Sequence, residues 1–283
     1  MSNFENIKYN TDVTGIARIT LARAEKRNAQ SMAMLVELND AFDLAARDDQ
    51  VKVIVLAAEG PDFSSGHDLS DRFDHSQYEP TGTWAEFSKP GAEGHMSIEQ
   101  EFYLGFCWRW RNIPKPTVAE VQGRVIAGGL MLIWPCDIII ASEEASFSDP
   151  VVAFGVNGVE YFAHPWEVGV RKAKEMLFTG EALSAEEAMS LGMVNHVVPK
   201  DNLTEFTMEM ASKIASRPSM GLKLAKQSVN QMQDSQGLWS SLQAAMSLQQ
   251  LGHSHNKIVH GINIDPSGTA IIKAQMQKNS NRE

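Results

Sequence analysis

The chain has 283 residues, a mass of 31.2 kDa and a formal net charge of -10 at pH 7. Its 43% hydrophobic and 21% charged residues are typical of a globular protein and exclude global disorder. The excess of 35 acidic over 25 basic residues disfavours nonspecific nucleic-acid binding, because such binding needs basic side chains that neutralise phosphates.

The first residues and the cysteines show no sign of export. Residues 1–6 contain neither the basic nor the apolar segment of a secretory signal. Cys107 and Cys136 lie among apolar residues and are expected to be buried free thiols. The longest apolar run, residues 130–141, is too short to cross a bilayer. We therefore expect a cytoplasmic protein that binds neither membrane nor nucleic acid.

The first half of the chain alternates between strand and helix patterns. Residues 15–22 and 51–57 are apolar runs typical of buried strands, and residues 31–47 between them have helical spacing. Residues 73–97 are rich in Pro and Gly, which predicts a long surface loop or a mobile lid. The next predicted elements are a helix over 98–111, a strand over 117–121, a short helix over 130–135 and a strand over 137–141. This alternation predicts an α/β fold with parallel crossovers.

The carboxy-terminal third is predicted to be almost entirely helical. A helix over 165–178, a short capped helix from Ser184 and a strand over 193–198 come first. Helices over 203–216, 219–232 and 238–251 follow. We therefore divide the chain into a core of residues 1–200 and a helical region of residues 201–283. His253 and His255 diverge on a helix and are expected to be solvated, so no metal site is predicted.

Two glycine-containing loops are the first candidates for chemistry. Residues 63–69 (FSSGHDL) and residues 121–131 (VQGRVIAGGLM) each follow a predicted strand. Glycine allows backbone N–H groups to approach a ligand closely, and one N–H from each loop could polarise a single carbonyl oxygen. The alternative is a pair of tight turns with no ligand. Dinucleotide, P-loop, nucleophile-elbow and zinc-protease motifs do not occur in the sequence.

Four segments of the chain resemble the crotonase (enoyl-CoA hydratase/isomerase) superfamily. They are residues 19–31, 53–71, 114–150 and 177–199, with a Gly-x-Asp-Leu loop and then a Gly-Gly loop followed by Cys-Asp. The resemblance implies a crotonase-like spiral of ββα units with a helical carboxy-terminal trimerisation region. It also implies a homotrimer or homohexamer and an acyl-CoA substrate, with no cofactor apart from the coenzyme A of that substrate.

The resemblance assigns roles to particular residues. The oxyanion-binding N–H groups would come from His67 and Gly128. The adenine and pantetheine path would be lined by the loop containing Ser65, Gly66, Asp68 and Leu69. Lys26 and Arg27 lie in the segment that meets the CoA phosphates, although the two side chains could equally be solvated surface residues. Whether Lys257 or Lys273 reaches a neighbouring subunit's CoA is open.

The chain also departs from the family pattern. Hydratases of the family use two glutamates, and the matching positions here are Met131 and Val151. Neither side chain can move a proton. A third position used by some relatives matches Val159, but a one-residue shift in a loop about two residues shorter would place Glu160 there. We therefore expect Glu160 to be the base or nucleophile; the alternative is an acidic residue of an interface loop.

Neighbouring side chains leave further alternatives open. Tyr161 or His164 could assist Glu160, and Asp149 could face the cavity. At His67 either the N–H alone or also the imidazole could act, since histidine titrates near neutral pH.

Two functions of different classes remain. The first is an enzyme, most simply an enoyl-CoA hydratase, that stabilises a thioester enolate or oxyanion. Its reaction could be hydration, double-bond migration, C–C cleavage or thioester hydrolysis. The second is a catalytically silent acyl-CoA binder or a partner in an oligomer, which the two replaced glutamates would favour.

Overall fold

A computed structural model describes residues 4–71, 74, 76, 78 and 84–280, with only the backbone described for residues 275–280. The strands of the described part are β1 Ile7–Thr11, β2 Ile16–Leu21, β3 Val53–Ala58, β4 Thr117–Val121, β5 Arg124–Ile126, β6 Ile138–Ser142, β7 Ser146–Ser148, β8 Leu183–Ser184 and β9 His196–Val198. The helices are α1 Met32–Arg47, α2 Ala92–Glu99, α3 Phe106–Arg111, α4 Gly128–Ile133, α5 His164–Val168, α6 Val170–Thr179, α7 Ala185–Ser190, α8 Leu203–Ala215, α9 Ser219–Ser235, α10 Leu238–His260 and α11 Gly268–Ser280. A π-helical segment, Gln100–Gly105, joins α2 to α3.

The strands form two sheets. The larger has the order β1-β2-β3-β4-β6-β9, in which β1 is antiparallel to β2 and every other neighbouring pair is parallel. The smaller has the order β5-β7-β8, with β5 and β7 parallel. Because parallel neighbours need crossover connections, the predicted α/β class is confirmed.

Strand β3 shows why the sheet is apolar on both faces. Ile54 and Leu56 belong to the core that includes α1, whereas Val53 and Val55 pack into a second core with residues of α8. Burying one such side chain contributes about 1.5–3 kcal/mol. Because successive residues of a strand face opposite sides of the sheet, a strand covered on both faces is apolar at every position. The helical region of residues 201–283 therefore begins with a helix, α8, that packs on the sheet. The division of the chain into two regions at residue 200 stays a prediction.

Two predicted boundaries were wrong. Helix α2 begins at Ala92, so residues 92–97 are helical although their glycines suggested a loop. Packing against α10 supports this helix where its own propensity is low. The helix predicted over 165–178 is interrupted at Gly169, where a φ of 76° separates α5 from α6. The rest of the predicted 73–97 loop falls partly outside the described residues.

Among the described residues, we find no helix with the length and apolarity needed to cross a bilayer. The predicted cytoplasmic location stays a prediction.

Candidate active site

The two glycine loops meet at one point of the fold. The Gln30 N–H donates to the Gly66 carbonyl (2.8 Å) and the Asp68 N–H donates to the Gln30 carbonyl (2.9 Å). His67, between these two bonded residues, directs its own N–H away from Gln30. Gly66 has a φ of +90°, and a Cβ there would lie 2.9 Å from the Ile126 carbonyl oxygen, so only glycine allows this close approach.

Gly128 begins α4 directly beneath the His67 side chain. A Cβ on Gly128 would lie 2.8 Å from Cε1 of the His67 ring. The preceding residue, Ala127, has a φ of 48°, a conformation that costs energy in a non-glycine residue and is common at functional sites. Within the described part of the chain, neither the His67 N–H nor the Gly128 N–H donates to a protein acceptor. Two donors are thus available for a ligand oxygen.

The imidazole of His67 lies next to Gly128 and contacts Glu160. Its Nε2 is 3.2 Å from Glu160 Oε2, and its ring stacks on Tyr103 at a centroid distance of 4.4 Å. The amide of Gln249 donates to the other oxygen of Glu160 over 3.5 Å. The side chains of His67 and Glu160 are 21% and 7% exposed, so water screens their interaction only weakly.

The two groups shift each other's pKa in opposite directions. Burial lowers the pKa of the His67 imidazole, but the nearby Glu160 carboxylate outweighs burial and the net pKa is raised above its ordinary value. Burial raises the pKa of Glu160, but the charge and hydrogen bond of His67 outweigh burial and the net pKa is lowered. The pair therefore favours an imidazolium beside a carboxylate near neutral pH.

A second histidine–carboxylate pair holds the loop that carries Glu160. Asp149 Oδ2 accepts from the Val159 N–H (2.9 Å) and from His164 Nε2 (2.8 Å), and its Oδ1 accepts from the Val151 N–H (3.3 Å). The side chains of Asp149 and His164 are both fully buried. Neither lines the pocket described next, which disfavours the alternatives that Asp149 faces the cavity and that His164 assists Glu160 directly.

A pocket of about 440 Å³ brings most of these groups together. It contains His67 and Glu160, and Leu69, which is 67% exposed, marks its outer end. Helix α11 contributes Lys273, so this lysine lines the pocket of its own chain. Further polar side chains line the pocket that the sequence does not single out as site residues: His95, Glu99, Tyr103, Gln249, His253, Asn263 and Thr269.

The predicted CoA-binding residues fall into two groups. Ser65, Asp68 and Leu69 line the pocket. The buried Gly66 does not, and neither do Lys26 and Arg27, which are exposed on a neighbouring turn. The Asp68 carboxylate is already bonded to Ser70 and to Arg23 (3.0 Å), which lowers its pKa. Its side chain therefore joins the loop of residues 63–69 to the segment that follows β2. Contact of any of these residues with CoA stays a prediction.

The two positions that the resemblance matches to the family's glutamates differ in place. Met131 lies on α4 and is buried in the core outside the pocket lining, whereas Val151 lines the pocket. Tyr161 is buried, and burial raises the pKa of its phenol far above the ordinary value. It does not line the pocket, which disfavours the alternative that it assists Glu160. His253, expected to be solvated, instead lies in the pocket wall with 12% of its side chain exposed.

The comparisons with known proteins agree with this architecture. Residues 11–264 match the family described as Enoyl-CoA hydratase/isomerase. A Mycobacterium tuberculosis protein with the provisional name enoyl-CoA hydratase EchA13 is 46% identical over 264 residues, which cover 89% of this chain and 82% of that protein. The 1,2-epoxyphenylacetyl-CoA isomerase of Escherichia coli K12 is 31% identical over 221 residues, covering 76% and 79%. A crystal structure of a probable enoyl-CoA hydratase from Mycobacterium thermoresistibile has a TM-score of 0.84 at 46% identity, covering 92% of this chain and 99% of that one.

Fold and comparisons together define an enzyme scaffold of the crotonase superfamily, as the resemblance implied. The chain belongs to the enoyl-CoA hydratase/isomerase family.

Proposed function

We propose that the protein is an acyl-CoA-processing enzyme of the enoyl-CoA hydratase type, with His67 and Glu160 replacing the usual pair of glutamates. The observation that carries this proposal is the 3.2 Å contact between His67 and Glu160 in the pocket beside Gly128. A buried titratable pair with shifted pKa values in a pocket is characteristic of acid–base sites.

The thioester carbonyl would be held by the N–H groups of His67 and Gly128. Adding a nucleophile to the β-carbon of an enoyl thioester moves negative charge onto this oxygen as an enolate forms. Each N–H that meets the developing charge contributes roughly 10²–10³-fold to the rate. Both donors are backbone groups of hydrogen-bonded loops, so they need little reorganisation during the reaction. Gln30 holds the loop of His67, and the Ala127 N–H bond to the Ser148 carbonyl (2.8 Å) holds the loop of Gly128.

The proton transfers would be divided between the two side chains. The Glu160 carboxylate accepts a proton from water while the water oxygen bonds to the β-carbon. The His67 imidazolium then gives its proton to the α-carbon as the enolate collapses. Passing the proton from Glu160 to His67 across their contact restores the starting state, so that one water is added in total. Double-bond migration would use the same oxyanion site for a different intermediate, a dienolate: a proton leaves the α-carbon and one is returned at the γ-carbon, with no water added.

Assembly into a homotrimer or homohexamer is part of the same proposal. One face of α10 carries four exposed apolar residues, Leu248, Leu251, Ile258 and Val259. Their helical spacing forms a single stripe, and an exposed apolar stripe of this kind favours an interface with further copies of the chain. Replacing Leu251 and Ile258 by Glu should convert the oligomer to monomers in light-scattering measurements, whereas a wild-type monomer would contradict this part of the proposal.

The function can be tested with purified protein and a panel of enoyl-CoA thioesters, from short aliphatic to aromatic and polycyclic, with products followed by mass spectrometry. A product heavier by one water, with CoA intact, is expected. Glu160→Gln should lower kcat by about 10²–10⁴-fold while leaving CoA-ester binding unchanged. The matched control is Glu205→Gln, an exposed site on α8 that should leave kcat unchanged.

Other outcomes would identify different functions. Free CoA or a shortened acyl-CoA would indicate hydrolase or lyase chemistry at the same oxyanion site. Tight CoA-ester binding with no product across the panel would favour a catalytically silent binder. Full turnover in Glu160→Gln would refute the choice of base.

A further inference from the structure

Three potential metal ligands converge on one wall of the pocket. His95 and Glu99 lie four residues apart on α2, which places both on one helix face, and His253 approaches from α10. One ligand atom from each residue lies within 4.8 Å of the others. All three residues line the same pocket as His67 and Glu160. Among the described residues no hydrogen bond joins them to that pair, which Glu99 and His253 affect through their charge.

The two histidine nitrogens lie within ion-pair distance of Glu99, but farther from it than in a short charge-assisted hydrogen bond. His95 Nδ1 and His253 Nε2 lie 3.4 and 3.3 Å from the same oxygen, Oε1 of Glu99. A charge-assisted N–H···O bond is about 2.7–2.9 Å long. A tetrahedral ion with bonds of about 2.0–2.2 Å would instead hold its ligand atoms about 3.3–3.6 Å apart. Both measured distances fall in that range.

The hydrogen bonds around the cluster orient its ligand atoms inward. His253 Nδ1 donates to the Asn263 carbonyl oxygen (2.8 Å), so Nε2 is the ring nitrogen that faces Glu99. That Nε2 atom is buried and makes no hydrogen bond of normal length among the described residues; Glu99 Oε1 lies 3.3 Å from it. The Gln250 amide donates to Oε2 of Glu99 and leaves Oε1 for the cluster. A histidine whose second nitrogen donates to a carbonyl is the usual outer contact of a metal site.

One contact competes with a metal at the cluster. His95 Nδ1 lies 3.1 Å from the Gln250 amide oxygen, so a bound ion would have to replace this contact.

We propose that His95, Glu99 and His253 bind a divalent transition-metal ion of the Zn²⁺ type in the wall of the acyl pocket. Two imidazoles and one carboxylate suit such an ion better than Mg²⁺ or Ca²⁺, which prefer oxygen ligands. With three protein ligands, at least one coordination position is left for water or for an oxygen atom of a bound acyl group. The site goes beyond the hydratase function and does not depend on it.

The test uses tag-free protein that has been dialysed against a chelator. Titration with Zn²⁺ should show one equivalent bound with micromolar or tighter affinity, and Co²⁺ should produce the visible absorption of a tetrahedral N/O complex. His95→Ala, Glu99→Gln and His253→Ala should each weaken Zn²⁺ binding by about 100-fold or more. The matched control is His260→Ala, a surface histidine on the same helix, which should bind Zn²⁺ like the wild type.

Circular dichroism checks that each variant is folded. The Co²⁺ spectrum of the wild type tests the site even if a variant does not fold. Wild-type protein that binds neither ion stoichiometrically would overturn the proposal. Equal loss of binding in His260→Ala would overturn it too. In either case the cluster would be an imidazole–carboxylate network without a metal. Neither readout uses enzyme activity, so failure here is distinguishable from failure of the proposed hydratase function.

Discussion

Asp149 provides the sharpest test of how the fold positions the proposed base. It accepts three hydrogen bonds, from His164 and from the Val151 and Val159 N–H groups, and is fully buried. Val159 immediately precedes Glu160, so Asp149 fixes the backbone from which the base projects. Replacing Asp149 should therefore change both stability and activity.

The expected magnitude depends on what replaces the carboxylate. Asp149→Ala removes all three acceptors and leaves the His164 imidazole and two N–H groups without partners, which should cost about 3–5 kcal/mol. For a chain of this size that corresponds to roughly 6–10 °C in Tm. In Asp149→Asn the amide oxygen can still accept from His164 and Val159, so only the charge and the weaker bond are lost, at about 1–3 kcal/mol.

Activity should follow the same order. A displacement of about 1 Å at Glu160 is enough to lower kcat by about 100-fold. KM should change little, because Asp149 does not line the pocket. Thermal unfolding and steady-state kinetics on both variants, with Glu205→Gln as the control, make the comparison. Wild-type kcat in a folded Asp149→Ala variant would refute the positioning role. Equal losses of Tm in the two variants would refute the argument that Asp149→Ala loses more hydrogen bonds than Asp149→Asn.

Three further outcomes are expected. The raised pKa of His67 and the lowered pKa of Glu160 mean that their attraction adds stability only between the two folded-state pKa values. That stability is lost as the pH falls through the pKa of Glu160 or rises through the pKa of His67. The difference in unfolding free energy between wild type and Glu160→Gln should therefore be largest between these two pKa values. A difference that does not change with pH would contradict the pairing. NMR titration of the imidazole should show a lower His67 pKa in Glu160→Gln, and an unchanged value would contradict the coupling. Lys273→Ala should raise KM for CoA esters about twofold to fivefold with kcat unchanged, an effect that high salt removes if the lysine pairs with an anionic part of the ligand.

The sequence was sufficient for the parallel sheet because its strands are buried on both faces. Residues 53–58 are apolar at every position, a pattern that amphipathic helices do not share. The π-helical segment and α2 were less accessible, because Gly91 and Gly94 read as loop residues and only packing against α10 shows the helix. The small sheet was also missed, since strands of two or three residues have too short a pattern to detect.

The candidate site was predictable where a local motif carried it. His67 and Gly128 could be selected because each lies in a short glycine-containing motif that is visible in the sequence. Glu99 and His253 are separated by more than 150 residues and come together only through the packing of α2 on α10. The one available signal was the His95–Glu99 spacing of four residues, and it is meaningful only once that segment is known to be helical.

The His164–Asp149 pair and the His67–Glu160 pair differ in a way that separates structure from function. The carboxylate of Asp149 has three donors, a 2.8 Å contact with its histidine and no access to the pocket, so its charge is fully compensated inside the protein. The carboxylate of Glu160 has only longer contacts, 3.2 Å to His67 and 3.5 Å to Gln249, and it lines the pocket. Burying a charge pair costs several kcal/mol unless close hydrogen bonds offset the lost hydration. The incomplete compensation at Glu160 leaves its lone pairs available to a ligand, which is the condition that a general base must meet and a structural carboxylate need not.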